Sequence, residues 1–340
     1  MKLQERIEIL VKLGEYLNES LSPEDTAQWQ RTIHQASVRN AWFTNEHIRC
    51  ATQAISNRFL KKEMLTDWAK LYDIANNPTP RKIGIVMAGN IPMVGFHDLL
   101  CVFISGHRAI CKLSSKDDVL LKHLISVMNQ WNSVVNEYIV VTERLNDCDA
   151  YIATGSNNSA RYFEYYFGKY PSIIRKNRTS VAILNGQESK EELDALADDI
   201  MLYFGLGCRN VTQIAVPQGY DFIPLLDALK KYRHFFDHPK YKNNYDYQLT
   251  IYIMNNLFYM TNDSIVLIEN EQPFSPIGTL HYRYYDQEEA MYQSLQNHPD
   301  IQAIVGRNGI ALGKAQTPSL TDYADGVDVM QFLKFKISSP

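Results

Sequence analysis

Cys208 lies in the run Phe204-Gly205-Leu206-Gly207-Cys208-Arg209-Asn210. A loop cysteine beside a cation is the kind whose thiol ionises readily, and the thiolate is the nucleophilic form. Gly205 and Gly207 let backbone approach a bound group and turn amides toward a developing oxyanion. The ordinary use of an unpaired cysteine is a small apolar filler, and this segment alone leaves both uses open. Its Gly-x-Gly lacks a third glycine and a preceding strand, so it does not make a dinucleotide fingerprint.

Three further turns carry polar groups where a strand gives way to a helix. Asn90, in Gly89-Asn90-Ile91-Pro92, follows the apolar run Ile83 to Met87; its amide could donate to an oxyanion, or simply make a turn. Lys112, Ser114, Ser115 and Lys116 gather donors and positive charge before a helix start, which suits a phosphate or ribose phosphate. A capped helix with solvated lysines explains them equally well. Gly155 and Ser156, in Ala153-Thr154-Gly155-Ser156, form a small-residue turn through which a pyrophosphate could reach helix amides. Between Arg161 and Arg178 five basic residues face one Glu164, a local excess of positive charge.

The elements that must present these turns can be read from periodicity. Leu3, Ile7, Leu10, Leu13 and Leu17 recur at helical spacing, and Ser22-Pro23-Glu24-Asp25 is a helix start. A second helical stretch runs from about Asn45 to Tyr72, and Asn76-Asn77-Pro78-Thr79-Pro80 is a linker. From Lys82 strands alternate with helices: Ile83 to Met87, Met93 to Ser105, Ala109 to Leu113, a helix to Trp131 opened by a capping box at Ser115–Asp118, then Tyr138 to Thr142, Tyr151 to Ala153 and a helix from Ser156 to Phe167. Ser189-Lys190-Glu191-Glu192 caps a helix reaching about Tyr203. This alternation predicts an α/β protein with a doubly wound parallel sheet. The expected division is a helical segment over 1–80 packed on the cofactor domain, a dinucleotide-binding domain over 81–185, a catalytic domain over 186–318, and a tail over 319–340 returning toward the cofactor domain.

Composition narrows the function classes. The chain has 340 residues, 45% of them hydrophobic, and 34 basic against 38 acidic residues give a net charge of −4. That supports a large core and gives no basic excess for nucleic acid. The N-terminus mixes charge into every turn, unlike a signal peptide, and the apolar stretch Ile83 to Gly106 is interrupted by Asn90, Pro92, His97 and Asp98, unlike a membrane span. Five scattered cysteines (Cys50, Cys101, Cys111, Cys148, Cys208) fit neither a disulfide framework nor a metal site, so a reducing, cytoplasmic setting is expected.

Taken in order, AGNIP, CKLSSKD, ATGSNNSAR, RKNRTSVAILNG, FGLGCRN and EQPFSPIG resemble the aldehyde dehydrogenase superfamily, and in particular its acyl-CoA reductase (LuxC-type) family. The closing GKAQTPSLTDYADGVDVMQFL is similar to that family too, so the resemblance spans about Lys82 to Leu333. It implies an aldehyde dehydrogenase-like fold of two Rossmann-type α/β domains with an N-terminal helical segment, and a nicotinamide cofactor. By motif it makes Cys208 the nucleophile, Asn90 the oxyanion-binding amide, Lys112 the contact to the adenosine ribose, with Ser114 and Ser115 beside it. Gly155 and Ser156 become the turn beneath the pyrophosphate, and Phe274 the ring near the nicotinamide ribose. Gln272 stands where relatives often carry a ribose-binding Glu. His97 and His107 stay outside this set.

Two departures refine the expectation. Hydrolytic relatives open the segment corresponding to Arg175-Lys176-Asn177-Arg178-Thr179-Ser180 with a water-activating Glu, and no carboxylate stands here. Without that base water is a poor acceptor, which favours reduction of an acyl thioester, fatty acyl-CoA or acyl-protein, to an aldehyde through an acyl-Cys208 intermediate. Ser115 replaces a Glu common in NAD-preferring relatives, which points to NADPH, with NADH as the alternative donor. An acyl-protein synthetase is an expected partner by resemblance. The competing readings are a hydrolytic NAD(P)-dependent aldehyde dehydrogenase, and an acyl-carrier or acyl-transfer protein that uses Cys208 without hydride transfer. The number of subunits is left open, because the chain is shorter than most of the superfamily.

Overall fold

The structure, a computed structural model, describes residues 1–19, 22–74 and 79–336. It divides into two compact units, one of residues 1–177 with 318–340 and one of residues 178–317.

The first unit opens with four helices, α1 (Leu3–Leu17), α2 (Pro23–Arg39), α3 (Asn45–Phe59) and α4 (Lys62–Leu71). The single stretch expected over Asn45 to Tyr72 is two helices, separated at Leu60 and Lys61. Ser22 caps α2 by accepting from the Asp25 amide, as the Ser-Pro-Glu-Asp start predicts. Residues 76–78 of the expected linker lie outside the described residues.

Next come β1 (Lys82–Val86), α5 (Phe96–Ile104), β2 (Arg108–Lys112), α6 (Val119–Trp131), α7 (Val135–Tyr138), β3 (Ile139–Val141), β4 (Ala150–Thr154), α8 (Asn157–Phe167) and β5 (Ser172–Arg175). The five strands form one parallel sheet in the order β3-β2-β1-β4-β5. Chain order reverses between β1 and β4, and the carboxyl edge there is where open α/β sheets bind ligands. One apolar core runs from Leu10, Leu13, Trp29 and Ile48 in the early helices to Ile83, Ile85 and Cys111 in the sheet and Leu320, Tyr323 and Leu333 near the C-terminus.

Buried charges pin this core. The Arg6 guanidinium, fully buried, donates from Nε to the Ile104 carbonyl at 3.1 Å and ties α1 to the end of α5. Arg175 meets Asp98 of α5 at 2.6 Å, both buried. Such a pair costs desolvation to assemble, but losing one partner is worse. His97 stacks on Trp68 and bonds the Leu320 carbonyl through Nε2 at 3.0 Å, and His107 Nδ1 accepts the Arg81 amide at 3.2 Å; both serve the core. The short α13 (Val329–Gln331) belongs to this unit.

The second unit comprises β6 (Thr179–Ile183), α9 (Lys190–Met201), β7 (Val211–Pro217), α10 (Ile223–Leu229), α11 (Pro239–Met254), β8 (Tyr259–Thr261), β9 (Val266–Glu269), β10 (Thr279–Tyr285), α12 (Glu288–Gln296) and β11 (Ile301–Gly306). Its sheet runs β11-β6-β7-β10-β9-β8, parallel except for β8 against β9. The expected boundary at 185/186 therefore moves to 177/178. The reason is pairing: Thr179–Ile183 bonds to β7 and β11, so this strand belongs with the second sheet.

Among the described residues no helix is long and apolar enough to cross a membrane.

Candidate functional site

In the first unit, two of the expected turns meet. Gly89 follows β1 and Ser114 follows β2; a Cβ on Gly89 would stand 2.6 Å from Ser114 Oγ and 2.7 Å from its Cβ. Only glycine allows that approach, so the turn carrying Asn90 lies against the turn carrying Lys112, Ser114 and Ser115. Asn90, Lys112 and Ser115 are exposed at this carboxyl edge and Ser114 is half-buried.

Asp117, which the sequence reading did not single out, ties the two turns together. Its Oδ2 accepts the Met93 amide at 2.7 Å, its own amide donates to the Ser114 carbonyl at 3.0 Å, and Asn40 Nδ2 holds the Lys116 carbonyl at 3.2 Å. Met93 sits at φ +62°, a left-handed conformation a side chain rarely adopts unless its surroundings hold it. Burial pushes the Asp117 carboxyl up to about 8, against the opposing pull of the Met93 amide; the nearby Asp118 adds to the rise. Its Oδ1 is buried and has no hydrogen-bond partner among the described residues. The expected capping box at Ser115–Asp118 does not form. The helix begins at Val119, because Ser114 to Asp118 is spent on this turn.

Gly155 and Ser156 lie at the end of β4, the neighbour of β1. A Cβ on Gly155 would meet Phe163 and Ser159 at 2.9 Å, so glycine lets α8 pack close to the strand. The Gly155 amide is already used, donating to the Arg175 carbonyl at 3.2 Å. Ser156 caps α8, its hydroxyl accepting the Ser159 amide. A pyrophosphate at this turn would therefore meet the first-turn amides of α8, not that of Gly155. The positive block expected from Arg161 to Arg178 is largely consumed: Arg175 faces Asp98, Lys176 faces Glu164 at 3.1 Å, and Arg178 donates to the Ile301 carbonyl at 3.1 Å.

Lys112, Ser115 and the α8 amides thus share the carboxyl edge at the point where strand order reverses. A cationic side chain, a hydroxyl and a helix N-terminus there fit an adenosine ribose phosphate and a pyrophosphate.

In the second unit, Cys208 sits in the turn that enters β7. Cys101, Cys111 and Cys148 are buried, and burial pushes the Cys111 thiol up to about 12 and the Cys101 and Cys148 thiols upward as well. Cys208 is half-buried instead and lies on a loop. Three successive residues before it, Tyr203, Phe204 and Gly205, have φ of +57°, +57° and +74°. Left-handed backbone costs a non-glycine residue about 1–2 kcal/mol. It is held here by the Phe204 ring, packed on Phe235, His238 and Tyr241 at 4.4, 4.7 and 5.6 Å between centroids.

Asn210 fastens the turn. Its Oδ1 accepts the Gly207 amide at 2.7 Å, while Nδ2 reaches the Asp199, Ile200 and Leu202 carbonyls at 3.0, 3.3 and 2.8 Å. Ser180 Oγ donates to the Cys208 carbonyl at 3.1 Å. The backbone of the cysteine loop is thus fixed from both sides, the kind of preorganisation a nucleophile needs.

Phe274 is half-buried on the loop between β9 and β10. Thr212 donates to the Pro273 carbonyl at 2.6 Å, and both Gln213 Nε2 and His281 Nδ1 reach the Gln272 carbonyl, at 3.2 and 2.7 Å. A carbonyl can only accept, so His281 carries its proton on Nδ1. Burial lowers the His281 pKa, and its bond to Gln272 opposes that. The Phe274 loop is thereby tied to β7 a few residues beyond Cys208. Asn210, Gln213 and His281 were missed by motif reading; Asn210 alone had a visible signal, as the last residue of FGLGCRN.

A recess of about 530 Å³ opens at the carboxyl ends of β6 and β11, lined among others by Glu188, Glu192, Glu288 and Arg307. None of the nominated residues lines it, and Cys208 enters β7 from the amino-terminal end.

No protein-family model matches the chain, and comparison with curated protein sequences likewise returns no match. Solved structures do match in shape. An indole-3-acetaldehyde dehydrogenase complexed with NAD+ aligns at TM-score 0.64 and 12% identity, over 90% of this chain and 72% of that one. A propionaldehyde dehydrogenase of Rhodopseudomonas palustris, with bound CoA and an acylated cysteine, aligns at 0.59 and 11%, over 90% and 78%. An engineered glycolyl-CoA reductase with bound NADP+ gives the same figures. The chain has an aldehyde dehydrogenase-like fold.

Proposed function

We propose that the protein is a cytoplasmic, NADPH-dependent acyl thioester reductase of the LuxC type, releasing an aldehyde through an acyl-Cys208 intermediate. The observation that carries this reading is the Cys208 loop: a half-buried thiol on a backbone clamped by Asn210 and Ser180, with hydroxyl and basic side chains but no carboxylate in the stretch Arg175 to Ser180. Neighbours of the same fold carry CoA with an acylated cysteine, NAD+ or NADP+, which supports the choice of substrate and cofactor class.

In this reading the Cys208 thiolate attacks the thioester carbonyl, the new C–S bond forming as the C–S bond to CoA breaks and CoA thiolate leaves. The Cys208 amide holds the tetrahedral oxyanion; one such donor lowers the barrier by about 3 kcal/mol. Lys112 and Ser115 would hold the adenosine ribose and its 2′-phosphate, and the α8 amides would hold the pyrophosphate. A reduced nicotinamide, when bound, supplies the hydride that converts the acyl-enzyme to aldehyde and returns the Cys208 thiolate. The absence of a carboxylate from Arg175 to Ser180 protects the acyl-enzyme from water.

The deciding experiment measures NADPH consumption across a panel of acyl-CoA chain lengths, with intact-mass detection of the acyl-enzyme. Consumption with aldehyde release supports the proposal. An adduct that persists with NADPH identifies an acyl-transfer protein, and aldehyde oxidation without CoA identifies a hydrolytic dehydrogenase.

A further inference from the structure

We infer that Asp199 is a positioning residue for Cys208: its buried carboxylate fastens a strap, residues 313–316, to the end of α9 that holds the cysteine loop through Asn210. Asp199 is fully buried. Its Oδ2 accepts the Gly313 amide at 2.6 Å, its Oδ1 accepts the Ala315 amide at 3.0 Å, and the Gln316 amide adds to the pull. Gly313 takes φ +78°, and a Cβ there would stand 2.6 Å from the Ala195 Cβ, one turn before Asp199 on the same face of the helix. Only glycine lets the strap lie this close to α9.

This is an unfavourable place for a carboxylate. Desolvation raises its pKa to about 6 against the pull of the amides, and Asp198 beside it adds to the rise. It also stands in the last turn of a helix, where the macrodipole opposes negative charge. Among the described residues no cation pairs with it. An apolar side chain would fill the same volume without these penalties, but would leave the strap amides without an acceptor. What the carboxylate supplies is the hold on the strap.

Strap and cysteine loop grip one helix end from two sides. The last carbonyls of a helix have no partner within it. Here Asn210 Nδ2 reaches those of Asp199, Ile200 and Leu202, while Asn210 Oδ1 accepts the amide of Gly207, next to Cys208. Asp199 therefore serves both: its main chain holds the loop and its side chain holds the strap, the last stretch of the second unit before Thr317. Amidation or protonation of the carboxyl sets a donor against one of the strap amides. The strap then lifts, and the end of α9 loses the support that aims its carbonyls at Asn210. The charged groups nearby are Asp198, engaged by Lys231 and Tyr232 at 2.6 Å each, and Lys314 of the strap, which is exposed.

The test is hydrogen exchange read by mass spectrometry on the full chain, comparing the amides of Leu206, Gly207 and Asn210 with those of β7 in the same molecule. Asp199→Asn keeps the size and one acceptor but turns an NH2 group toward a strap amide. It should cut loop protection by roughly tenfold or more with β7 little changed. Leu196→Ala, a fully buried truncation in the same helix, should lower both together. The chemical role assigned here rests on reading Cys208 as the nucleophile, so acyl-Cys208 formation from acyl-CoA is followed in a single turnover as well. Asp199→Asn should slow it by roughly tenfold or more, since small misplacements of a reacting group are costly. Loop protection that is unchanged, or that falls only in step with β7, overturns the inference, and so does an adduct formed at the wild-type rate. A wild type that forms no adduct ends the reading of Cys208 as nucleophile instead, and exchange still decides whether Asp199 holds the loop. Should Asp199→Asn fail to fold, the wild type decides: loop protection relative to β7 should fall as pH is lowered through about 6. A ratio that stays flat between about pH 8 and 5 rejects the role.

Discussion

The Met93 amide donates to Asp117 Oδ2 at 2.7 Å, and through that bond the turn bearing Asn90 is held to the turn that follows Lys112. The carboxyl is buried and pushed up to about 8, above its ordinary 3.8, chiefly by desolvation. Between those two values the folded chain holds a proton that the unfolded chain has lost. The contribution of this group to stability is therefore complete below about pH 4 and declines as pH rises toward 8, at up to about 1.4 kcal/mol per pH unit. Asp117→Asn keeps an acceptor for Met93 but cannot ionise. Denaturant unfolding between pH 4 and 8 should lose stability with pH less steeply in the variant than in the wild type; parallel curves would show that Asp117 does not titrate in this range.

Gly89 and Ser114 test the same junction sterically. A Cβ at position 89 would come within 2.6 Å of Ser114 Oγ, far inside contact distance. Gly89→Ala should push the two turns apart and weaken NADPH binding by roughly tenfold or more, and adding Ser114→Gly, which removes the colliding atoms, should restore much of it. A double-mutant cycle on the cofactor dissociation constant measures the coupling between the two positions; additive effects would place them out of contact.

Local sequence was informative wherever the physics was local. The strands β1, β2 and β4 follow from short apolar runs bounded by turn residues, and the Ser189–Glu192 capping box forms as read. Sheet membership was not local: nothing between Arg175 and Thr179 marks a change of sheet, because the strands that claim Thr179–Ile183 are β7, about thirty residues on, and β11, more than a hundred residues on. The motif FGLGCRN displayed Cys208 and its glycines. What fixes the loop was hidden, since it depends on two aromatic residues in left-handed backbone, held by ring packing with Phe235, His238 and Tyr241. The box expected at Ser115 failed for a similar reason: Asp117 is drawn inward to Met93, a contact across the sheet edge that spacing along the chain cannot reveal.

Asn210 should matter more than its place beside the cysteine suggests. It is fully buried, accepts from Gly207 and donates toward three carbonyls at the end of α9. Asn210→Ala strands the buried Gly207 amide and these carbonyls, a loss of about 3 kcal/mol. Asn210→Asp should be at least as damaging, because a carboxylate would face carbonyl oxygens. Thermal unfolding gives the stability, and the rate of iodoacetamide reaction at Cys208 reports the loop; an Asn210→Ala chain with wild-type values of both would remove the clamp from the argument.

Ser115 sets the expected choice of cofactor. It is exposed beside Lys116 at the carboxyl edge of the first sheet, where a hydroxyl and a cation can accept a 2′-phosphate. Ser115→Glu places a carboxylate against that phosphate and should raise the KM for NADPH by roughly tenfold or more through like-charge repulsion. NADH, which lacks the phosphate, should be affected little. The ratio of kcat/KM values for the two donors is the measurement, and an unchanged ratio would detach Ser115 from the adenosine end of the cofactor.

Cys208 carries the whole catalytic proposal, and its removal separates binding from chemistry. The loop is held by its backbone, through Ser180 to the Cys208 carbonyl and Asn210 to the Gly207 amide, so Cys208→Ala removes the sulfur without removing those supports. Turnover of acyl-CoA should fall by on the order of 10⁴-fold or more, as expected when a covalent nucleophile is deleted. NADPH affinity, which the proposal assigns to residues of the first unit, should stay within about twofold, because deleting one thiol removes no phosphate contact. Intact-mass spectra should show no acyl adduct in the variant and one per chain in the wild type. An adduct that persists in Cys208→Ala would point to another of the five cysteines. Cys50 would then be the one to examine, being half-buried on α3 where Cys101, Cys111 and Cys148 are buried.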